Sequence, residues 1–222
     1  MKRQIVTTGD GATTIFLEEW NEHYHSKHGA INESLHVFIE KGLLLFKAQR
    51  LSILEIGLGT GLNALLTALK APEAELLVTY TGVEAYPVDE SEFEKLNYAS
   101  LVSSRDATLI FDKIHRTAWG KKEKITENFT LQKEKMFFQD IAYKNAFDLI
   151  YFDAFGARVQ PELWTEGIFQ AMFSALKNEG VLVTYSSKGS VRRAMQSCGF
   201  LVEKLPGPPG KREMLRARKS GV

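Results

Sequence analysis

The stretch "LSILEIGLGTGLNALLTALK", residues 51 to 70, limits the fold more than any other part of the chain. An apolar run meets three alternate glycines, Gly57, Gly59 and Gly61, and apolar residues then recur at helical spacing as far as Pro72. Strand, tight loop and helix in that order make a βα unit, whose next strand returns parallel to the first. The alternation continues. "ELLVTYTGVE" reads as a strand and "DESEFEKLNYA" as a helix capped by Asp89. After a mixed segment come strands near 129–134 and 147–153, a helix near 165–177, the strand "GVLVTYS" at 180–186 and a short helix near 189–197. "FLVEKL" and "EMLRARK" are joined only by "PGPPGKR", too short for a helical crossover, so they predict an antiparallel hairpin. The expected class is α/β, a doubly wound, mostly parallel sheet of about seven strands. Residues 1–50 read differently, as an N-terminal extension. Two strand-like runs flank the turn residues Gly9, Asp10 and Gly11, and Asn32 is expected to cap a helix carrying Leu35, Phe38, Ile39 and Phe46. Residues 51–222 are expected to form the main domain.

Composition narrows the partners. With 222 residues, 44% hydrophobic and 25% charged, the chain can bury one substantial core. No apolar run approaches the roughly 20 residues that span a bilayer, and the N-terminal stretch lacks the apolar core of a signal peptide, so we expect a cytoplasmic protein without a membrane partner. The single cysteine, Cys198, excludes an internal disulfide and argues against a cysteine-built zinc site. A net charge of +1 gives no global field for nucleic acid. Local patches remain, at Lys113 to Lys124 and along the tail from Lys204 to Lys219.

In such a sheet, ligands bind outside the carboxyl ends of the strands, where strand order reverses. Gly57 to Gly61, Glu84 and Asp153 all fall at strand ends. The glycines let backbone approach a ligand closely. Their spacing is G-x-G-x-G, with Glu55 inside the strand, rather than the G-x-G-x-x-G of a dinucleotide site. Glu84, at the end of the next strand, is placed to accept both hydroxyls of a ribose, so the two features indicate an adenosine-containing cofactor without a pyrophosphate. Asp140, in "FFQDI", is a candidate acceptor for the adenine amine. The alternative for Glu84 and Asp140 is that they are helix-start carboxylates favoured by the helix dipole.

This layout resembles the class I S-adenosylmethionine-dependent methyltransferases, in which "EIGLGTG" is the cofactor motif. Further along, "TTGDGATTIF", "HYHSKHGAINESLHVFI", "IYFDAF", "PELWT", "TYSSKGSVRRAM" and "GPPGKREM" resemble in order the methyltransferase family related to the N-terminal half of the bifunctional tRNA wobble-uridine enzyme MnmC. The resemblance implies a Rossmann-like seven-stranded methyltransferase sheet, S-adenosyl-L-methionine as cofactor, and methylation of the amine of 5-aminomethyl(-2-thio)uridine in a tRNA anticodon loop. It places the N-terminal extension over the cofactor pocket, with Tyr24, Glu33 and Ser34 as pocket or lid residues beside Glu55, Gly57, Gly59, Gly61, Asn63, Glu84 and Asp140. The FAD-dependent half of the bifunctional enzyme is not expected here. One departure is visible: Gly156-Ala157 and Gln160 stand where the family usually has Ala-Pro and Asn.

An alkylamine has a pKa near 10.4, so presenting it neutral at pH 7 costs roughly 4 to 5 kcal/mol. A carboxylate alone favours the ammonium. Asp153, at the mouth of the strand "LIYF", is therefore read as the catalytic group that orients the amine and takes its proton within an apolar wall; the alternative is a helix or loop cap. Phe155, Trp164 and Tyr185 are candidates to stack on an unstacked base, although a Trp at a helix start commonly packs in a core. Lys211 and Arg212, in a turn, are candidates for tRNA phosphate contacts, or else a solvated hairpin tip. His23, His25 and His28 match no metal spacing, so no metal is expected. Two readings compete with the tRNA methyltransferase: a methyltransferase for a small amine or protein, and a non-catalytic cofactor-binding module associated with RNA.

Overall fold

The computed structural model describes residues 2–221. The N-terminal extension forms a three-stranded antiparallel sheet of β1 (Arg3–Thr7), β2 (Thr13–Leu17) and β3 (Glu22–His23). Helix α1 (Ala30–Ser34) follows and runs on as a π-helical stretch, Leu35–Glu40. Asn32 lies inside this helix rather than at its cap. The first turn is capped from a distance: Asp10 Oδ2, in the hairpin turn, accepts from the Asn32 amide at 3.1 Å. The helix stops before Phe46, at Gly42, whose backbone (φ −119°, ψ −80°) departs from regular helical angles.

The main sheet is assembled by β4 (Arg50–Ile56), α2 (Leu62–Lys70), β5 (Leu77–Glu84), α3 (Glu90–Phe93), α4 (Tyr98–Leu101), α5 (Ala107–Arg116), β6 (Lys122–Thr126), β7 (Phe129–Lys135), β8 (Phe147–Phe152), α6 (Glu166–Ala175), β9 (Leu176–Thr184), α7 (Gly189–Ser197), β10 (Phe200–Pro206) and β11 (Glu213–Lys219). Asp89 caps α3 in a reciprocal capping box with Glu92, as the sequence predicted. The strand order is β10-β11-β9-β8-β4-β5-β7-β6, eight strands rather than seven. The additional strand is β6, an antiparallel edge partner of β7 whose "KEKIT" is mostly exposed. Charged edge strands lack the apolar alternation that signals a strand, and that same charge protects the edge from further pairing.

β9, β8, β4, β5 and β7 run parallel, and the terminal hairpin closes the other edge antiparallel. The two basic patches therefore lie at opposite ends of the sheet. The chain moves from β4 to β5 on one side and returns through β8 on the other, so order reverses between β4 and β8. Side-chain parity then decides what faces the crevice. Along β8, Leu149 and Tyr151 pack on the face covered by α2, while Ile150 and Phe152 enter the opposite core with α6. Asp153 shares the parity of Tyr151, as Glu55 shares that of Ile53. Burying each of these apolar side chains contributes about 1.5–3 kcal/mol, which fixes the register that aims both carboxylates at α2. Among the described residues, no helix is long and apolar enough to cross a membrane.

Candidate functional site

A cavity of about 1030 Å³ opens at the reversal point. Gly57, Gly59, Asn63, Glu84, Asp153, Phe155 and Tyr185 line it from the main sheet, Tyr24 and Glu33 from the N-terminal extension, and Lys211 from the terminal hairpin. Residues far apart in sequence thus share one space. Glu55, Gly61, Ser34, Asp140, Trp164 and Arg212 do not line it.

The glycine loop is shaped by contact. Gly57 has φ +87°, and a Cβ there would lie 2.6 Å from the Asp153 carbonyl oxygen. The Asp153 amide in turn donates to Ile56 at 2.9 Å, stitching the ends of β4 and β8 together. Gly59, at φ +50°, sits under the Tyr24 ring, 3.2 Å from where its Cβ would be. Glu84 is held by two amides: Oε2 accepts from Gly59 at 3.1 Å and Oε1 from Tyr86 at 2.9 Å. A carboxylate so braced keeps lone pairs free toward the cavity, the arrangement that suits a vicinal diol.

Beneath the loop, Asn63 bridges two carboxyl groups. Its Nδ2 donates to Asp153 Oδ2 at 2.8 Å and to Glu55 Oε1 at 2.9 Å. Glu55 is fully buried, and desolvation, reinforced by the Asp153 charge, holds its carboxyl well above the usual range and favours its protonated form. It lies one layer below the cavity and supports Asn63 rather than facing a cofactor. Burial also pushes the Asp153 carboxyl up to about 7; the Glu33 charge adds to this, while the Asn63 amide and Lys211 oppose it. A carboxyl poised there can accept or release a proton near neutrality.

Other expected residues are placed differently. Asp140 ends a short 3-10 turn, Phe138–Asp140, and is exposed outside the cavity, where Phe137, Phe138 and Gln139 form the wall instead. Trp164 is 6% exposed, donates Nε1 to the Phe155 carbonyl at 2.7 Å and packs edge-on against Phe152. It shapes the Phe155 loop from below. Phe155 itself meets Tyr24 and Trp20 edge-to-face, with centroids 4.9 and 5.5 Å apart. Ser34 is buried behind the wall, with no partner for Oγ among the described residues. The turn pair separates: Arg212 is exposed, whereas Lys211 bonds inward to Glu33 and lies over Tyr185.

Two further groups, given no site role by the sequence, join the cavity wall. His25 lines the cavity, and burial pushes its ring down to about 4, so it is neutral and contacts Thr14 Oγ1 at 3.0 Å and Thr60 Oγ1 at 3.3 Å. It joins the N-terminal sheet to the glycine loop. Arg158 pairs with Glu22 at 2.9 Å and also donates to the Trp20 and Asn21 carbonyls, tying the divergent 156–160 loop to the same extension. No local pattern marks either link, because each joins distant segments.

The chain is similar to several known proteins. Residues 112–220 match a family described as S-adenosyl-L-methionine-dependent methyltransferase. The chain is 27% identical over 220 residues to a tRNA 5-methylaminomethyl-2-thiouridine biosynthesis bifunctional protein MnmC from Paraburkholderia xenovorans, covering 92% of this chain and 33% of that protein. It is 29% identical over 222 residues to the protein of the same name from Azoarcus sp., covering 94% and 34%. The chain therefore spans about a third of the length of the curated relatives it matches. Among solved structures, MNMC2 from Aquifex aeolicus superposes with a TM-score of 0.78 at 25% identity, covering all of this chain and 71% of that one. Spermidine synthase from Thermotoga maritima, at 16% identity and a TM-score of 0.57, shares the fold.

Proposed function

We propose that this chain, a member of the S-adenosyl-L-methionine-dependent methyltransferases, methylates the amine of 5-aminomethyl(-2-thio)uridine at the wobble position of tRNA. The observation that carries the reading is the meeting of Glu84, the Gly57–Gly61 loop and Asp153 around one cavity at the reversal of strand order. The residues fit the cofactor: Glu84 is braced to receive a ribose diol, and Gly57 and Gly59 leave no Cβ where the loop closes on Asp153 and Tyr24. The bound cofactor supplies an electrophilic methyl group on a sulfonium. The chain supplies the rest. Asp153 orients the amine and takes its proton, Asn63 holds that carboxylate toward the cavity, and Tyr24, Phe155 and Tyr185 give the aromatic walls that favour a planar base and a neutral amine.

The tRNA reading draws on the MnmC-named relatives and on the basic groups at the mouth, where Lys188 and Arg212 are exposed. Phosphate contacts then fall to Arg212, Lys188 and their neighbours. The deciding experiment incubates the chain with methyl-labelled S-adenosylmethionine and tRNA carrying 5-aminomethyluridine, followed by nucleoside digestion. Label in 5-methylaminomethyluridine is the expected result, and label confined to protein or to small amines would point to another substrate.

Glu84→Ala tests the cofactor assignment separately. It removes a charged acceptor and loosens the Gly59 amide, so S-adenosylmethionine affinity is expected to fall by about 1.5 kcal/mol, roughly tenfold. Calorimetry giving an unchanged Kd would remove Glu84 from the cofactor site.

A further inference from the structure

Lys211 stands at the tip of the β10–β11 hairpin, where a lysine is ordinarily solvated, yet its ammonium turns inward. Nζ pairs with Glu33 Oε2 and lies 4.0 Å from the centroid of the Tyr185 ring. It lines the same cavity as Asp153, and its charge reaches that carboxyl. The surroundings fix this placement. A Cβ at Gly207 would meet the Lys211 carbonyl at 2.5 Å, one at Gly210 would meet the His28 ring at 2.5 Å, and the His36 ring contacts the Pro206 carbonyl at 2.8 Å. The hairpin is latched onto the N-terminal extension. Tyr185, under the ammonium, donates its hydroxyl to the Ala154 carbonyl at 2.8 Å, which pins the ring to the segment that carries Asp153.

This arrangement bears on the difficulty raised by an alkylamine substrate. Asp153 alone favours the ammonium, whereas a second cation in the same cavity favours the neutral amine. We propose that Lys211, held by Glu33 and Tyr185, is a positioning residue that lowers the proton affinity of the pair formed by Asp153 and the substrate amine, so that the pair sheds one proton near neutral pH. The inference rests on the amine-methyltransferase reading above. In the step it serves, the substrate ammonium gives a proton to the Asp153 carboxylate. The freed nitrogen lone pair forms the bond to the methyl carbon, the carbon–sulfur bond breaks, and its electron pair stays on sulfur as a thioether. The product nitrogen is then a secondary ammonium.

Other charged groups stand around the same cavity. Glu22 is paired with Arg158 at 2.9 Å, burial beneath Asn63 favours the neutral form of Glu55, and Glu84 is bound to two backbone amides. Lys188 and His28 are exposed at the rim, where water screens them. Arg3 also lines the cavity, but it pairs with Glu92 at 2.8 Å and lies over the Tyr24 ring, while Lys27 and Glu162 are exposed at its edge.

The test is the pH dependence of kcat/KM for the full chain with saturating S-adenosylmethionine and tRNA carrying 5-aminomethyluridine. Lys211→Met should move the acidic limb upward by about one pH unit. Activity then falls about tenfold at pH 7 and recovers at pH 9. Glu33→Gln, which leaves the Lys211 charge uncompensated, should move the limb the opposite way, and it decides the matter if the Lys211 variant folds poorly. A Lys211→Met enzyme that is weakened equally at every pH, or not at all, would make Lys211 a phosphate contact or a structural latch and overturn the inference. Displacement of both variants in one direction would do the same. A wild-type chain that transfers no methyl group to this tRNA overturns the functional reading itself.

Discussion

Asp153→Asn is expected to lower methyl transfer about 10²-fold or more at pH 7, the scale of a lost general base, while S-adenosylmethionine affinity changes little. The substitution preserves the local geometry, because an asparagine carbonyl can still accept from Asn63 Nδ2, as the Oδ2 atom of Asp153 does at 2.8 Å. What disappears is the proton acceptor. Raising the pH should partly rescue the variant as the neutral fraction of the amine grows. Stability offers an independent check on the same residue. Burial raises the Asp153 carboxyl to about 7, above the unfolded value near 3.9. The folded state therefore holds the proton more tightly, and the contribution of Asp153 to stability falls as pH rises from about 4 to 7. Asparagine carries no such penalty. The Tm of Asp153→Asn should exceed that of the wild type at pH 8, with the gap closing near pH 4. Near-normal turnover at pH 7, or loss of cofactor binding together with turnover, would make Asp153 a structural cap or a cofactor ligand.

Asp153 was legible in the sequence for a reason that applies to Glu84 as well. Each is a carboxylate that abruptly ends an apolar strand, and in a parallel sheet such an end lies at the crevice. Parity added the rest, since Asp153 follows Tyr151 onto the face that α2 covers. Glu55 shows where this reasoning stops. Its place in the motif is visible and groups it with the cofactor residues, but the sequence does not reveal that Asn63 lies between it and the cavity and that it is fully buried there. Lys211 shows a second boundary. Its partner Glu33 is 178 residues away, and a basic hairpin tip looks the same in sequence whether it points to phosphate or folds back. The sequence around Trp164 is compatible with a base platform or with core, and only the enclosure around its indole nitrogen distinguishes them. Asn32 failed as a cap for a related reason, because Asp10 supplies the acceptor from another segment.

The close contact of β4 and β8 leads to the other large expected effect. Gly57→Ala should lower stability by about 3 kcal/mol or more, combining the cost of a left-handed backbone with an overpacked contact, and so lower Tm by roughly 6–12 °C. The obstacle is backbone on both sides. The new methyl group would lie 2.6 Å from the Asp153 carbonyl oxygen and 3.2 Å from its carbon, while the Gly57 amide is held by Val83 at 3.0 Å. Neither neighbour can rotate away, so the crevice must widen. Widening moves the glycine loop and Asp153 together, and both cofactor affinity and turnover should fall, unlike in Asp153→Asn, where turnover alone is lost. Gly120 provides the control. It has a similar φ of +74° but nothing within 4 Å of its Cβ, far from the cavity on the approach to β6. Gly120→Ala should therefore show the backbone cost of about 1 kcal/mol with unchanged S-adenosylmethionine binding. If Gly57→Ala behaves like Gly120→Ala in both calorimetry and thermal melting, the contact between the β4 loop and Asp153 is not what shapes the site, and the proposed coupling of the glycine loop to Asp153 must be abandoned.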